Sequence, residues 1–225
     1  MTMLDQPLGQ IARRIPGATR VFHEYQLDFC CGGKHSLRDA ATSKGIDGGA
    51  IAGRLAELEA IDRMETDDRN ELPISDLIDH IVDRFHARHR AELPELIRLA
   101  KKVEAVHAER ATCPHGLAAH LMVMEASLED HMQKEEDALF PMLLQGPAAY
   151  VGDPIEVLRT EHDQHGEALQ RLAELATDFI PPRDACTTWR ALYTGLRAFR
   201  VDIMEHIHLE NNVLFEKVLA SGKAA

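Results

Sequence analysis

Residues 127–141 read S-L-E-D-H-M-Q-K-E-E-D-A-L-F-P, and residues 202–216 read D-I-M-E-H-I-H-L-E-N-N-V-L-F-E. The two stretches are one motif written twice. Set 75 positions apart, they match at Asp130/Glu205, His131/His206, Glu135/Glu210, Leu139/Leu214 and Phe140/Phe215. In each copy a His is followed four residues later by a Glu, and positions i and i+4 share one face of a helix. Each copy therefore aims an imidazole and a carboxylate in one direction. Two such helices facing each other make a site of two His and two Glu.

The repeat extends outward. F-H-A-R-H at 85–89 is answered by E-H-D-Q-H at 161–165, with His86/His162 and His89/His165 both 76 apart. A whole helical hairpin is thus duplicated. From Pro73 onward the chain reads as four long helices. The first runs from an N-cap at Ser75 to about Glu109, with a kink expected at Pro94. The second runs from Leu117 to Leu144 and is ended by Gln145-Gly146-Pro147. The third starts at Asp153-Pro154, as N-cap and N1, and stops before Pro181-Pro182. The fourth runs from Asp184 to Leu219. No β-type alternation competes, so the fold class is all-α, with an antiparallel four-helix bundle over 74–225. His86 and His162 lie near the starts of helices one and three. His131 and His206 lie about as far from the ends of helices two and four. At ~1.5 Å per residue all four fall at one level.

Residues 1–63 read as a separate small helical domain, and the charged stretch 64–73, without hydrophobic period, as its linker. Within the small domain, short amphipathic segments flank D-F-C-C-G-G at 28–33, a turn followed by a helix capped by Ser36.

A formal net charge of −12 argues against a nucleic-acid binder, which needs a basic face. No apolar run is long enough to cross a membrane. The first residues lack the pattern of a signal peptide, so a cytoplasmic location is expected. Four cysteines without a CxxC pair make no disulfide framework. Thirteen histidines, several in register, point to metal.

Four His and two Glu in a bundle core are too costly to bury without compensating charge. Two metal ions supply it, each taking two His and sharing both Glu as bridges. Positions are left for an oxo or hydroxo bridge and an exogenous ligand. Nitrogen and oxygen donors without thiolate favour iron, then manganese; zinc prefers a closed four-coordinate site. The candidate ligands are His86, His131, Glu135, His162, His206 and Glu210. His89 and His165, one turn further on, stand as a fifth ligand or as supports. His107 lies 21 residues beyond His86, ~30 Å along a straight helix, and joins only if the chain folds back at Pro94. Glu161 reads as a solvated carboxylate ahead of the alternative that it lines an access channel, Glu136 and His208 as solvent-facing, and Trp189 and Phe199 as bundle packing.

H…HxxxE…H…HxxxE, with E-E-D-A-L-F-P continuing the first copy, resembles the hemerythrin-like di-iron bundle. The D-F-C-C-G-G stretch resembles the small domain of the RIC family (repair of iron centres, YtfE/ScdA type). The resemblance covers nearly the whole chain. It implies a di-iron protein of the nitric oxide and oxidative stress response. Such a protein restores damaged iron–sulfur proteins, its partners, by supplying iron. By position, the six residues named above inherit the ligand role for two non-haem irons. Oxygen-carrying hemerythrin differs in using Asp one residue later in the second motif and HxxxH on its third helix, which speaks against stable O2 carriage here. Catalytic reduction of nitric oxide at the di-iron centre, and a sensor or scavenger that binds NO or O2, are the alternative readings. A homodimer is compatible with the sequence.

Adjacent Cys30 and Cys31 could close only a strained eight-membered disulfide ring. The Gly-Gly amides, Lys34 and His35 favour a thiolate. The pair reads either as a group handling NO, iron or a thiol, or as two small residues buried in a tight turn; the family context favours the first. Cys113 and Cys186, near helix ends, read as structural.

Overall fold

The Ser36 hydroxyl accepts the Asp39 N–H at 3.1 Å, the cap expected from sequence. It starts α3 (Leu37–Lys44), which a left-handed Gly45 at φ 66° ends. Before it come a short 3-10 turn (Met3–Asp5), α1 (Leu8–Arg14) and α2 (Ala18–Glu24). α4 (Gly48–Asp62) follows. The computed structural model describes residues 2–15, 17–30, 32–62, 72–145 and 151–222. Most of the expected 64–73 linker, Gly146-Pro147 and Cys31 lie outside them.

The chain is all-α, with no strand among the described residues. Bundle helix one comprises α5 (Ile74–Ile81), a π turn (Val82–His86) and α6 (Ala87–Val106). Helix two is α7 (Leu117–Lys134), a π turn (Glu135–Leu139) and α8 (Phe140–Leu144). Helix three is α9 (Gly152–Leu175). Helix four is α10 (Thr187–Leu209), a π turn (Glu210–Leu214) and α11 (Phe215–Gly222).

The helix signals differ from the sequence reading in detail. Pro73, not Ser75, precedes helix one, and α6 runs through Pro94. The irregular hydrogen bonding falls instead at 82–86. Helix three begins at Gly152 after Val151, so Asp153 sits inside the first turn rather than capping it. It ends at Leu175, and Thr177, Asp178 and Phe179 follow with φ of 50°, 51° and 60°. Helix four begins after Cys186, beyond the expected Asp184.

Buried apolar side chains form two clusters. The larger joins the N-terminal segment (Leu8, Ile11 and Phe22 on its helices, Phe29 in the loop before α3) to the far half of the bundle (Leu96, Leu121, Trp189, Phe199). The smaller lies at the other end, around Leu77, Ile81, Phe140, Ile155, Leu214 and Phe215. Trp189 and Phe199 are fully buried in packing, as expected.

Candidate metal centre

Between the two apolar clusters lies a layer of buried His and Glu. His86 closes the first π turn, while Glu135 and Glu210 open the other two. Single π turns inside α-helices recur at functional sites; here three of them fall on the predicted residues. Two groups of donors converge, His86–Glu135–His206–Glu210 and His131–Glu135–His162–Glu210, each with its donor atoms all within 4.8 Å of one another. The two groups share both carboxylates. All six residues are at most 1% exposed.

Each carboxylate presents one oxygen to each histidine pair. Glu135 Oε2 lies 3.4 Å from His86 Nε2, and its Oε1 lies 3.5 Å from His131 Nε2. Glu210 Oε1 lies 2.9 Å from His206 Nε2, and its Oε2 lies 3.1 Å from His162 Nε2. The imidazoles meet tip to tip: Nε2 to Nε2 is 3.1 Å for His86–His206 and 2.9 Å for His131–His162. Donors in neighbouring positions around an ion at about 2.1 Å stand about 3.0 Å apart, so these separations suit ligands of a common cation.

The outer ring nitrogens fix the tautomers. His86 Nδ1 lies 2.7 Å from Glu136 Oε1, and His131 Nδ1 lies 2.8 Å from Glu161 Oε2. His162 Nδ1 lies 3.0 Å from Asn211 Oδ1. An Nδ1–H that donates to an oxygen leaves a bare lone pair on Nε2. The two tips of the His131–His162 pair are then both acceptors at 2.9 Å, with no proton between them. Burial, then the neighbouring His162, lowers the His131 pKa to about 2. Glu135 Oε1 and Oε2, Glu210 Oε2 and His206 Nδ1 are buried without hydrogen-bond partners. Burial and the adjacent Glu210 push the Glu135 carboxyl well above its ordinary range. Burial also acts to raise Glu210, but His206 and His162 outweigh it and hold that group low. Orphaned acceptors around a common centre are what a pair of cations satisfies. The donor set of nitrogen and carboxylate oxygen fits iron.

Glu136 and Glu161 correct the sequence reading, which placed both in solvent. Glu136 bonds His86 and Arg90, and Glu161 bonds His131 and Lys134. The repeat itself held the signal. The offset of 75 sets Asn211 opposite Glu136, and the two do the same work on His162 and His86. The offset of 76 sets Phe85 opposite Glu161. Phe85 stacks on His206 at 5.2 Å, where Glu161 supports His131. Phe140 and Phe215 likewise stack on His86 and His162, at 5.9 and 6.1 Å.

Other singled-out residues lie elsewhere. His89 and His165 are buried beside His206 and His131, with ring centroids 5.3 and 4.9 Å apart, but neither belongs to a donor group. Burial, then neighbouring imidazoles, lowers them to about 2 and about 4. His107 ends α6 and meets Cys186 Sγ at 3.3 Å and the Trp189 ring at 5.1 Å, apart from the donor groups. His208, expected in solvent, is 8% exposed, edge-on to Phe29 at 5.5 Å and 3.0 Å from Asn212. The N-terminal loop that carries Phe29 packs over it. Cys30 is buried, and its N–H donates to Asp28 Oδ1 at 3.2 Å. It lines two cavities of about 480 and 670 Å³ between the N-terminal loop and the bundle. The Cys30 carbonyl faces Asn211 Nδ2 at 3.5 Å.

Residues 77–218 match the hemerythrin HHE cation binding domain, which makes the bundle one of the hemerythrin class. Residues 4–59 match a domain of unknown function, DUF542, of the ScdA N-terminal type. The chain is 49% identical over 215 residues to the iron-sulfur cluster repair protein YtfE of Dickeya chrysanthemi, covering 96% of this chain and 97% of that one. It is 48% identical over 219 residues to the protein of the same name in Pectobacterium atrosepticum, covering 97% and 99%. The Yersinia pseudotuberculosis counterpart is 46% identical over the same shares. The chain belongs to the YtfE iron–sulfur cluster repair family.

Proposed function

We propose that this chain is a di-iron protein that repairs iron–sulfur clusters damaged by nitric oxide or oxidative stress, by donating iron. The observation that carries the reading is the pair of donor groups sharing both carboxylates. The family adds the cluster-repair context. His86, His206, Glu135 and Glu210 would hold one iron, and His131, His162, Glu135 and Glu210 the other. These four protein donors per ion would leave room for an oxo or hydroxo bridge and for an exogenous ligand such as nitric oxide. Bound iron supplies both the cargo for a damaged cluster and a redox centre.

The chain's own part is to keep the imidazoles aimed. Glu136, Glu161 and Asn211 take the outer N–H groups of His86, His131 and His162, so those three Nε2 lone pairs point inward, while Phe85 stacks on His206. The three stacked phenylalanines wall the layer against water. Four protein donors per iron are fewer than a closed octahedral site needs, which suits an ion that must leave again. The 1–63 domain, with Cys30 and Cys31, would handle NO, iron or a thiol beside the 74–225 bundle. The cytoplasm, where iron–sulfur proteins are assembled, is the proposed location.

The test is anaerobic metal analysis with Mössbauer spectroscopy, followed by reactivation of a nitrosylated cluster enzyme. Wild type should carry close to two coupled irons and restore activity. His131→Ala should lose iron and repair together. A His131→Ala variant that keeps both irons and repairs normally overturns the assignment. Nitrous oxide evolved in turnover amounts would instead make the centre an NO reductase.

A further inference from the structure

The two halves of the repeat differ twice in how they support their histidines: Phe85 stands where Glu161 does, and Glu136 has an amide, Asn211, as its counterpart. The second exchange has a chemical consequence. A carboxylate can only accept, whereas an amide accepts with its oxygen and donates with its nitrogen. Asn211 uses both ends: Oδ1 lies 3.0 Å from His162 Nδ1, and Nδ2 lies 3.5 Å from the carbonyl oxygen of Cys30. That carbonyl belongs to the peptide bond joining Cys30 to Cys31. A glutamate there would meet the carbonyl with like charge. The loop is also tightly built. A Cβ on Gly33 would come within 2.6 Å of the Phe29 carbonyl oxygen, and Gly9 N–H donates to the Gly33 carbonyl at 2.9 Å. Movement of the loop therefore shifts the Cys30 carbonyl and, through one side chain, the imidazole of a candidate ligand.

We propose that Asn211 is a positioning residue that couples the Cys30 loop to the iron position formed by His131 and His162. The proposal rests on the di-iron reading above. It makes the two iron positions inequivalent: one is steadied by Glu136, which Arg90 anchors, and the other answers to the cysteine loop. It also runs both ways, because a coupling between two sites is reciprocal.

Two measurements on the full chain test it. The first is the rate at which a ferrous chelator strips iron from the loaded protein. Asn211→Leu should release one of the two irons about ten-fold faster, in line with the loss of an outer partner to a metal ligand. Gly33→Ala, which displaces the loop, should also speed that phase, and the double variant should be no faster than Asn211→Leu alone. The second is alkylation of Cys30 by iodoacetamide, resolved by peptide mass spectrometry. Its rate should differ between loaded and metal-free wild type. The difference should vanish in Asn211→Leu and persist in Glu136→Gln. Asn211→Asp guards against misfolding. It still accepts from His162, so it should keep iron at nearly the wild-type release rate while losing the metal dependence of alkylation. Additive rates for the two substitutions, or metal-dependent alkylation that survives both Asn211 variants, overturn the coupling. Wild type that takes up no iron overturns the di-iron reading and this proposal with it. Two irons bound with release unchanged by Asn211→Leu overturn the coupling alone.

Discussion

Replacing Glu135 with Leu should make the metal-free protein more stable and the iron-loaded protein less so. Without a cation, Glu135 is fully buried, both of its oxygens lack hydrogen-bond partners, and Glu210 adds a second carboxylate to the same layer. Exchanging such a group for an apolar one of similar size is often stabilising by about 1–4 kcal/mol. The pH dependence isolates the cause. Burial, and then Glu210, raise the folded-state pKa of Glu135 well above 4.5. Above pH 4.5 the unfolded chain has lost this proton and the folded chain has kept it. The stability tied to that proton is thus complete below pH 4.5 and is lost as pH rises toward the folded value. Each pH unit in that window removes about 1.4 kcal/mol from wild type and nothing from Glu135→Leu. The gap between the two proteins should therefore widen as pH rises from 4.5 toward the folded value. Calorimetry on chelator-treated protein measures it. With iron at 100 times Kd, wild type should gain about 2.7 kcal/mol and the variant should not, so the order reverses. A gap that stays constant with pH, or a variant that gains as much from iron as wild type, would refute the account of Glu135 as an uncompensated buried acid.

Two other groups give separate expectations. Burial holds His23 at about 4, so the folded state resists a proton that the unfolded chain takes up near 6.5. Stability tied to neutral His23 is complete above 6.5 and is lost as pH falls toward 4, by up to about 3 kcal/mol; denaturant titrations should show His23→Leu losing less stability than wild type between pH 7 and 5. Asp202 is 4% exposed and pairs with Arg84 at 2.8 Å and Arg88 at 3.1 Å. Asp202→Ala should cost about 2 kcal/mol, seen as a lower urea midpoint with an unchanged slope.

The bundle was legible because two periodicities agree. The i, i+4 spacing put His and Glu on one face, and the hairpin repeat put four histidines at one depth; the structure brings those six residues into one layer. What the sequence did not disclose has physical reasons. Glu136 sits about 100° around the helix from Glu135, which reads as outward. The Nδ1 edge of an inward-pointing histidine faces the groove between helices, however, and a flanking glutamate reaches it there. His208 looked exposed because a bundle considered alone has an outer surface, and the N-terminal loop whose Phe29 packs on this one is distant in sequence. The π turns carry no composition signal that a 3.6-residue period could catch. His107 found an apolar neighbour in Trp189 and a thiol in Cys186 rather than a metal site.

The polar layer divides the apolar interior into two blocks of unequal size. Only the larger block includes the N-terminal helices. Dispersion and burial bind residues within each block, but across the layer the metal-free chain has mainly paired acceptors to offer. A cation there is thus a joint between two otherwise separable folding units, and its departure lowers the cooperativity of the whole. Native-state hydrogen exchange reads this directly. Amides of α5, α8 and α11 should lose protection on iron removal before those of α6 and α10 beside Trp189. Iron content then sets which end of the molecule opens first, so giving up the metal and loosening the smaller block are one event.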